Sequence, residues 1–294
     1  MRALVELGRP KVNLTLRVLG RRPDGFHELE SLVAFAGGIA DEVAFEPGAD
    51  LAACVTGPFA GGIAGENLVL TALRLLADRE PRLTLGAIRL EKRLPVAAGI
   101  GGGSADAAAV IRAVRRANAE LEARVDWYAI ARRLGADVPV CVLNRAAIMR
   151  GIGGKLEPIA ALPPLPAVLV NPMVPVPAGK TAEVFRRLAA PPLRKTVTQE
   201  TPAATPGSFT SRDDLMRFLR SVGNDLTGPA TSVVPEIGGV LAALEEAPGA
   251  LLARLSGAGP TCFAVFETPE AAQAAATRIK SAHPTWWAAT VVLQ

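Results

Sequence analysis

Between Pro95 and Ser104 the chain reads Pro-Val-Ala-Ala-Gly-Ile-Gly-Gly-Gly-Ser, with four glycines in the five positions 99–103. Such a density is unfavourable in the interior of a helix or a strand, because glycine loses more backbone freedom on folding than any other residue. The run is therefore a loop, and its flanks set the class of fold. Leu83 to Leu90 reads as a strand, while Ser104 to Ala119 is rich in alanine and puts Val110, Ile111 and Val114 on one stripe, the spacing of a helix. A loop of glycines emptying into a helix crowds backbone amides around one point. The positive end of the helix dipole and the Ser104 hydroxyl add to them, so an anion, and phosphate above all, suits the place. A flexible loop is the plainer alternative, and the combination of strand, glycines, serine and helix favours the anion.

Elsewhere the pattern alternates between strand and helix. Val12, Leu14, Leu16 and Val18 alternate with Asn13, Thr15 and Arg17, the period of a half-buried strand with Lys11 and Asn13 on its polar face. Arg21 to Gly25 reads as a turn and His27 to Phe35 as extended, a hairpin that holds Phe26 and His27 near its turn. Asn67 to Ala77 has helical spacing. Asp126 is placed to cap a helix ending at Gly135, where a left-handed residue is expected, and Asp137 then opens an apolar strand, Val138 to Leu143. The proline-rich passage from Pro158 to Pro177 marks a domain crossing, dividing the chain into 1–157 and 158–294. Ala190 to Ser211 reads as a long mobile loop. Beyond it, helices are expected at Asp213 to Val222, from about Pro235 and after Thr268, with strands at Ala250 to Leu255, Thr261 to Phe266 and Trp286 to Leu293. Helices mixed with strands in both halves mean an α/β or α+β protein.

Several functions are excluded early. The dinucleotide pattern G-x-G-x-x-G begun at Gly99 needs glycine where Ser104 stands. Gly179-Lys180-Thr181 looks like the end of a P-loop, but Val174 occupies the place of its first glycine. The net charge of +4 is spread as Arg pairs among acids, and aromatic residues make up 4% with a single tyrosine, so a nucleic-acid surface with stacking platforms is disfavoured. Two histidines and three separated cysteines, Cys54, Cys141 and Cys262, leave too few ligands for a transition metal, and no metal-ligating residue is singled out. The cysteines read as reduced thiols that pack as small hydrophobes, which points to the cytoplasm. Neither a signal peptide nor a membrane span is expected, since the longest apolar tract, Ala160 to Gly179, carries six prolines.

Two further segments carry possible chemistry. Leu255-Ser256-Gly257-Ala258-Gly259-Pro260-Thr261 joins two apolar strands and by itself reads as a tight hairpin. Asp137, between Gly135 and an apolar run, needs a cationic or hydrogen-bonding partner; it either caps a turn or, paired with Lys11, accepts a hydroxyl proton.

Taken in order, Pro10-Lys11-Val12-Asn13-Leu14, Pro95 to Ala107 and Leu255 to Phe266 resemble the three signature motifs of the GHMP kinases, and their spacing spans nearly the whole chain. Arg22-Pro23-Asp24-Gly25-Phe26-His27-Glu28-Leu29 and Gly135-Ala136-Asp137-Val138-Pro139 are similar to the branch that phosphorylates a CDP-linked methylerythritol in the non-mevalonate isoprenoid pathway. The resemblance implies a ribosomal-protein-like N-terminal domain and a C-terminal α/β sandwich domain. It implies ATP, with Mg2+, as phosphoryl donor to the 2-hydroxyl of the small-molecule substrate. A monomer or homodimer without nucleic-acid or membrane partners goes with it. A different GHMP kinase, acting on homoserine, mevalonate or a sugar, is the nearest alternative, and an RNA-binding protein the more distant one.

Carried over residue by residue, the resemblance makes Asp137 the general base and Lys11 its charged partner. Pro95, Gly99, Gly101, Gly102, Gly103 and Ser104 fall to the ATP phosphates, with Gly257 and Gly259 approaching them and Lys92 and Asn67 near adenine. Asn13, His27 and Asp137 fall to the substrate, and Phe26 and Phe185 to a sandwich around its cytosine, with Thr181 nearby. The chain departs from the usual pattern at Pro10 for Ala, Phe26 for Tyr and Ala258 for Ser; the last removes a hydroxyl, leaving backbone amides to serve. Ala105 and Asp106 stand where Ser and Asn are frequent, and Asp106 either complements the helix dipole or helps to hold Mg2+.

Overall fold

The computed structural model describes residues 3–62, 67–193 and 207–294. The chain begins with strands β1 (Leu4–Gly8), β2 (Lys11–Asn13), β3 (Arg17–Arg21), β4 (His27–Gly37), β5 (Asp41–Pro47) and β6 (Ala53–Thr56). Then come α1 (Leu68–Arg79), β7 (Gly86–Glu91), α2 (Gly102–Ala117), α3 (Trp127–Leu134), α4 (Val138–Leu143), β8 (Ala147–Gly151), β9 (Lys155–Pro158) and β10 (Leu165–Asn171). The remainder holds α5 (Lys180–Leu188), α6 (Arg212–Ser221), α7 (Thr227–Val233), α8 (Glu236–Glu245), β11 (Ala250–Leu255), β12 (Cys262–Phe266), α9 (Pro269–Ala282) and β13 (Trp287–Leu293).

These elements gather into two units interleaved in sequence. The first comprises Met1–Lys11, Ile39–Val96 and Gly101–Asn144. Its four-stranded sheet runs β1–β5–β7–β6, antiparallel except for the parallel pair β6–β7. Helix α2 packs on β1 and β5 and against α1, α3 and α4. Its alanines, buried at 105, 107, 108, 109 and 113, let the backbones come close on several sides at once. Phe45, Val43, Ile88 and Leu90 fill the inner face of the sheet.

The second unit comprises Val12–Gly38, Ala97–Ile100 and Arg145–Gln294. Its nine-stranded sheet runs β11–β12–β10–β13–β4–β8–β9, with β2 and β3 also on β4. Eleven-residue β4 is the organiser: Arg17 faces Glu30, Val33 faces Ala147 and Leu293 faces Ala36 in its antiparallel pairs. Helices α8 and α9 cover the β11–β12 and β10–β13 strands, and Val168, Val170, Val240, Leu255, Ala264, Phe266 and Ile279 form the core between them. The units do not follow the sequence division at 157/158, because β4 pairs with strands on both sides of that point.

Local signals held where the interaction is local. Asn67, Asp126 and Thr268 each accept a backbone N–H at the start of α1, α3 and α9. Three expectations fail. Val138 to Leu143 is a helix, not a strand, with Pro139 in its first turn, where the missing N–H costs nothing. Gly135 has a positive φ that favours glycine, but its angles (φ 158°, ψ 161°) lie outside the left-handed helical well. The polar side of Val12 to Val18 is not solvated: Lys11, Asn13 and Thr15 are all buried, and the strand breaks into β2 and β3. Cys54 is exposed on the edge strand β6, whereas Cys141 and Cys262 are buried, and all three are free. The mobile loop expected at Ala190 to Ser211 falls for the most part, at 194–206, outside the described residues. Among the described residues no helix is long and apolar enough to cross a membrane.

Candidate active site

In the first unit the glycine loop ends on Gly101, which is left-handed (φ 68°, ψ 20°) and stands at the N-cap of α2 without any side chain to occupy the first-turn amides. Those N–H groups have no partner within the helix, which is the arrangement an anion completes. A Cβ on Gly103 would meet nothing within 4 Å, so the first turn opens onto free space. Ser104 is half-buried and Pro95 buried.

Lys11 runs alongside: a Cβ on Gly101 would lie 3.4 Å from both its Cβ and its Cε. Its ammonium meets Asp137 Oδ2 at 2.9 Å, with the lysine side chain 5% and the aspartate side chain 36% exposed. Asp137 holds the N-cap position of α4 yet makes no side-chain cap, so its carboxylate is committed to the ammonium and to solvent. Helix α4 is pinned at its other end too. Arg9 donates through Nε to Asn144 Oδ1 at 3.0 Å and through Nη2 to the Asn144 carbonyl at 2.6 Å, and Arg112 donates to the carbonyls of Cys141 and Leu7 at 2.6 and 2.7 Å. Two guanidiniums thus lock the helix bearing Asp137 to the strand leading to Lys11.

Behind the loop lies a cluster that the sequence only half disclosed. Lys92 Nζ is buried and donates to Asp106 Oδ2 at 2.7 Å and, at shorter range, to Asp41 Oδ2. Burial works against its charge, and the Asp106 and Asp41 carboxylates outweigh burial and hold its pKa above the ordinary lysine value. One ammonium cannot neutralise two buried carboxylates. Asp41 also accepts the Arg93 and Leu94 N–H groups on Oδ1 at 2.6 and 2.8 Å, whereas Asp106 Oδ1 is buried with no partner among the described residues. Asp41 is therefore the better hydrogen-bonded of the two carboxyl groups, and the Asp106 pKa is the one that rises. Burial is the largest cause that pushes Asp106 up to about 8; Lys92 opposes it and the charge of Asp41 adds to it.

A consequence for stability follows. The unfolded chain releases this proton near 3.8 and the folded one only near 8, so stability falls as pH rises through that window. Asp106→Asn abolishes this contribution. The melting temperature of the unsubstituted protein relative to Asp106→Asn is expected to fall steadily from pH 4 to pH 8, measured by thermal denaturation across that range.

Lys92, expected near adenine, thus spends its ammonium on Asp41 and Asp106, close under the first turn of α2, where a Cβ on Gly102 would lie 3.3 Å from Nζ. Asn67 accepts Val69 N–H at 3.0 Å through its Oδ1 and leaves its buried Nδ2 without a partner among the described residues.

In the second unit, Gly99 lies so close to the Gly259 carbonyl that a Cβ there would collide with it, and only glycine permits this approach. The Ala98 carbonyl accepts Thr261 N–H at 3.1 Å. Ser256 Oγ accepts Asn13 N–H at 3.2 Å and reaches the Gly99 carbonyl at 3.4 Å. The tight hairpin read at 255–261 is present, and it also supports the first part of the glycine loop. Asn13 Nδ2 donates to Ser31 Oγ at 2.7 Å, and Ser31 in turn donates to the Thr15 carbonyl, so the Asn13 carboxamide is fixed. His27 stacks on Phe185 with centroids 4.7 Å apart and planes at 24°. Burial, and then the charge of Arg21, lowers the His27 pKa. Phe26 is 59% exposed, and the ring stacked on Phe185 is that of His27. Thr181 is exposed on the first turn of α5. Sequence reasoning missed Asp41, Ser31, Arg9 and Asn144, for which no local pattern exists, and discarded Lys180 with the false P-loop.

Comparison with known proteins gives the family. Residues 67–145 match the family described as GHMP kinases N terminal domain, and residues 207–285 match GHMP kinases C terminal. The chain is 50% identical over 289 residues to a 4-diphosphocytidyl-2-C-methyl-D-erythritol kinase of Bradyrhizobium sp. strain BTAi1, covering 97% of this chain and 94% of that protein. It is 34% identical to a crystal structure of 4-(cytidine 5'-diphospho)-2C-methyl-D-erythritol kinase, with a TM-score of 0.73 and 99% of each chain covered. A homoserine kinase from Cytophaga hutchinsonii shares the fold at 17% identity and a TM-score of 0.62, with 100% of this chain and 96% of that chain covered.

Proposed function

Since the chain belongs to the 4-diphosphocytidyl-2-C-methyl-D-erythritol kinases of the GHMP family, we propose that it transfers the γ-phosphoryl group of ATP to the 2-hydroxyl of that diol, yielding the 2-phosphate and ADP. The observation that carries the mechanism is the Lys11–Asp137 ion pair beside Gly101 at the start of α2. Phosphoryl transfer asks a protein for positioning and charge neutralisation rather than for covalent chemistry. The amides of 101–104 receive the phosphate oxygens. Asp137, still in contact with solvent, accepts the hydroxyl proton as the O–P bond forms, and Lys11 offsets the negative charge that the acceptor oxygen develops. Asn13, His27, Phe185 and Thr181 are the matching positions for the CDP-linked acceptor, His27 through its hydrogen-bonding nitrogens and Phe185 through its ring. Asp106 does not fit a Mg2+ ligand: its free oxygen is buried, and its other oxygen accepts from an ammonium. Among the described residues no group of three or more His, Cys, Asp or Glu could hold a metal, and no step is assigned to one. A cytoplasmic location belongs to the same proposal.

The test is a coupled assay of ADP release with the CDP-linked diol. Turnover with homoserine or mevalonate and no affinity for CDP would leave a kinase but refute this acceptor. Lys11→Met is expected to lower kcat by about 10²-fold, the order associated with one electrostatic donor, with Lys11→Arg recovering part of it. Because Asp137 is solvated, losing its partner strands no buried charge, and thermal stability should change little.

A further inference from the structure

Lys180, the first residue of α5, is 7% exposed, and among the described residues no carboxylate pairs with it. Its Nζ donates to the Ala258 carbonyl at 2.9 Å and, at shorter range, to the Gly259 carbonyl. Asn224 Nδ2 donates to two more carbonyls of the same loop, those of Leu255 at 2.9 Å and Gly257 at 2.8 Å. Four carbonyls of one short loop are therefore turned toward two side chains. The loop amides divide differently. Ser256 N–H goes to the Thr261 carbonyl, Gly259 N–H to the Ser256 carbonyl and Thr261 N–H to the Ala98 carbonyl. The N–H groups of Gly257 and Ala258 have no hydrogen-bond partner among the described residues. Gly257 is buried, and buried amides without partners are rare in folded proteins.

Two independent features thus ask for the same thing. A pair of adjacent amides lacks an acceptor, and a buried ammonium lacks a counter-charge, which is costly unless an anion supplies it. Burial alone lowers the Lys180 pKa to about 8, consistent with that shortage. We propose that Lys180 is a positioning residue: by holding the carbonyls of Ala258 and Gly259, with Asn224 on those of Leu255 and Gly257, it presents the amides of Gly257 and Ala258 to a phosphate oxygen of a bound nucleotide and supplies the compensating charge. Gly259 also abuts Gly99, so the same ammonium supports the start of the first glycine loop. This rests on the kinase reading above. The phosphate belongs either to the triphosphate donor or to the diphosphate of the acceptor, and the two are separable by experiment.

The binding of ADP, CDP, adenosine and cytidine to the full-length protein, to Lys180→Met and to Lys180→Arg is to be measured by calorimetry at pH 7. Lys180→Met should weaken ADP or CDP at least tenfold, and whichever weakens identifies the source of the phosphate. Both nucleosides should bind within twofold of the unsubstituted protein, because they carry no phosphate, and Lys180→Arg should restore the nucleotide affinity to within threefold. Unchanged ADP and CDP binding in Lys180→Met, or an equal loss for nucleosides and nucleotides, overturns the proposal. Should the unsubstituted protein bind neither nucleotide, the kinase reading itself falls, a result distinct from either of these. Should Lys180→Met fail to fold, the amide proton resonances of Gly257 and Ala258 in the unsubstituted protein decide: a downfield shift on saturation with ADP or CDP upholds the assignment, and their indifference to both refutes it.

Discussion

Asp137→Asn is expected to lower kcat about 10³-fold, within the 10²–10⁴ range of a positioned proton acceptor, while the affinity for ATP stays within twofold. An amide keeps the size of the carboxylate and can still accept a hydrogen bond from Lys11, but it cannot take the hydroxyl proton, so the loss falls on the transition state and not on the ground state. The α2 amides that are proposed to hold the phosphates are untouched by the change. Single-turnover kinetics with a separate titration of ATP distinguishes the two effects. Near-normal turnover would remove Asp137 from the reaction. Adding Lys11→Met to Asp137→Asn should cost little more, since the two groups act as one unit.

The second large effect is on stability. Lys92→Met leaves Asp41, wholly buried, without its cation and beside Asp106. Removing one partner of a buried ion pair costs about 3–5 kcal/mol, a large share of the roughly 5–15 kcal/mol by which a protein is folded. The deficit should be greater at pH 8 than at pH 5, because a carboxylate deprived of its cation can escape the penalty only by taking up a proton. Denaturant titrations at the two pH values measure both. A variant as stable as the parent at pH 8 would mean that Lys92 is not the counter-ion of the pair. Lys11→Met provides the contrast: its partner is one-third exposed, so the same kind of deletion spares the fold and strikes turnover.

What could be read in advance was what neighbours in sequence decide. The hairpin at Arg21 to Gly25, the caps Asn67, Asp126 and Thr268 and the glycine loop opening α2 all rest on contacts a few residues long. The run Val138 to Leu143 was misread because a short buried apolar segment has no periodicity that separates helix from strand; its packing against α2 and α3 decides. The candidate site divides in the same way. Lys11 and Asp137 were named, and they do meet. Phe26 and Phe185 are named as the two sides of a sandwich around a base; Phe185 carries His27 stacked on it, and Phe26 stands exposed at the turn.

The residue types at 99–104 by themselves determined that this chain carries a glycine loop before a helix, the setting that suits an anion, since glycine density and helix polarity act within ten positions of each other. Only the tertiary structure decided which charges are buried together: that Asp41 joins Lys92 and Asp106, that Arg9 grips the far end of α4, and that Lys180 finds carbonyls and, among the described residues, no acid. Charge state and pairing depend on solvent exclusion and on partners brought from distant parts of the chain, and neither is set by a residue's immediate neighbours.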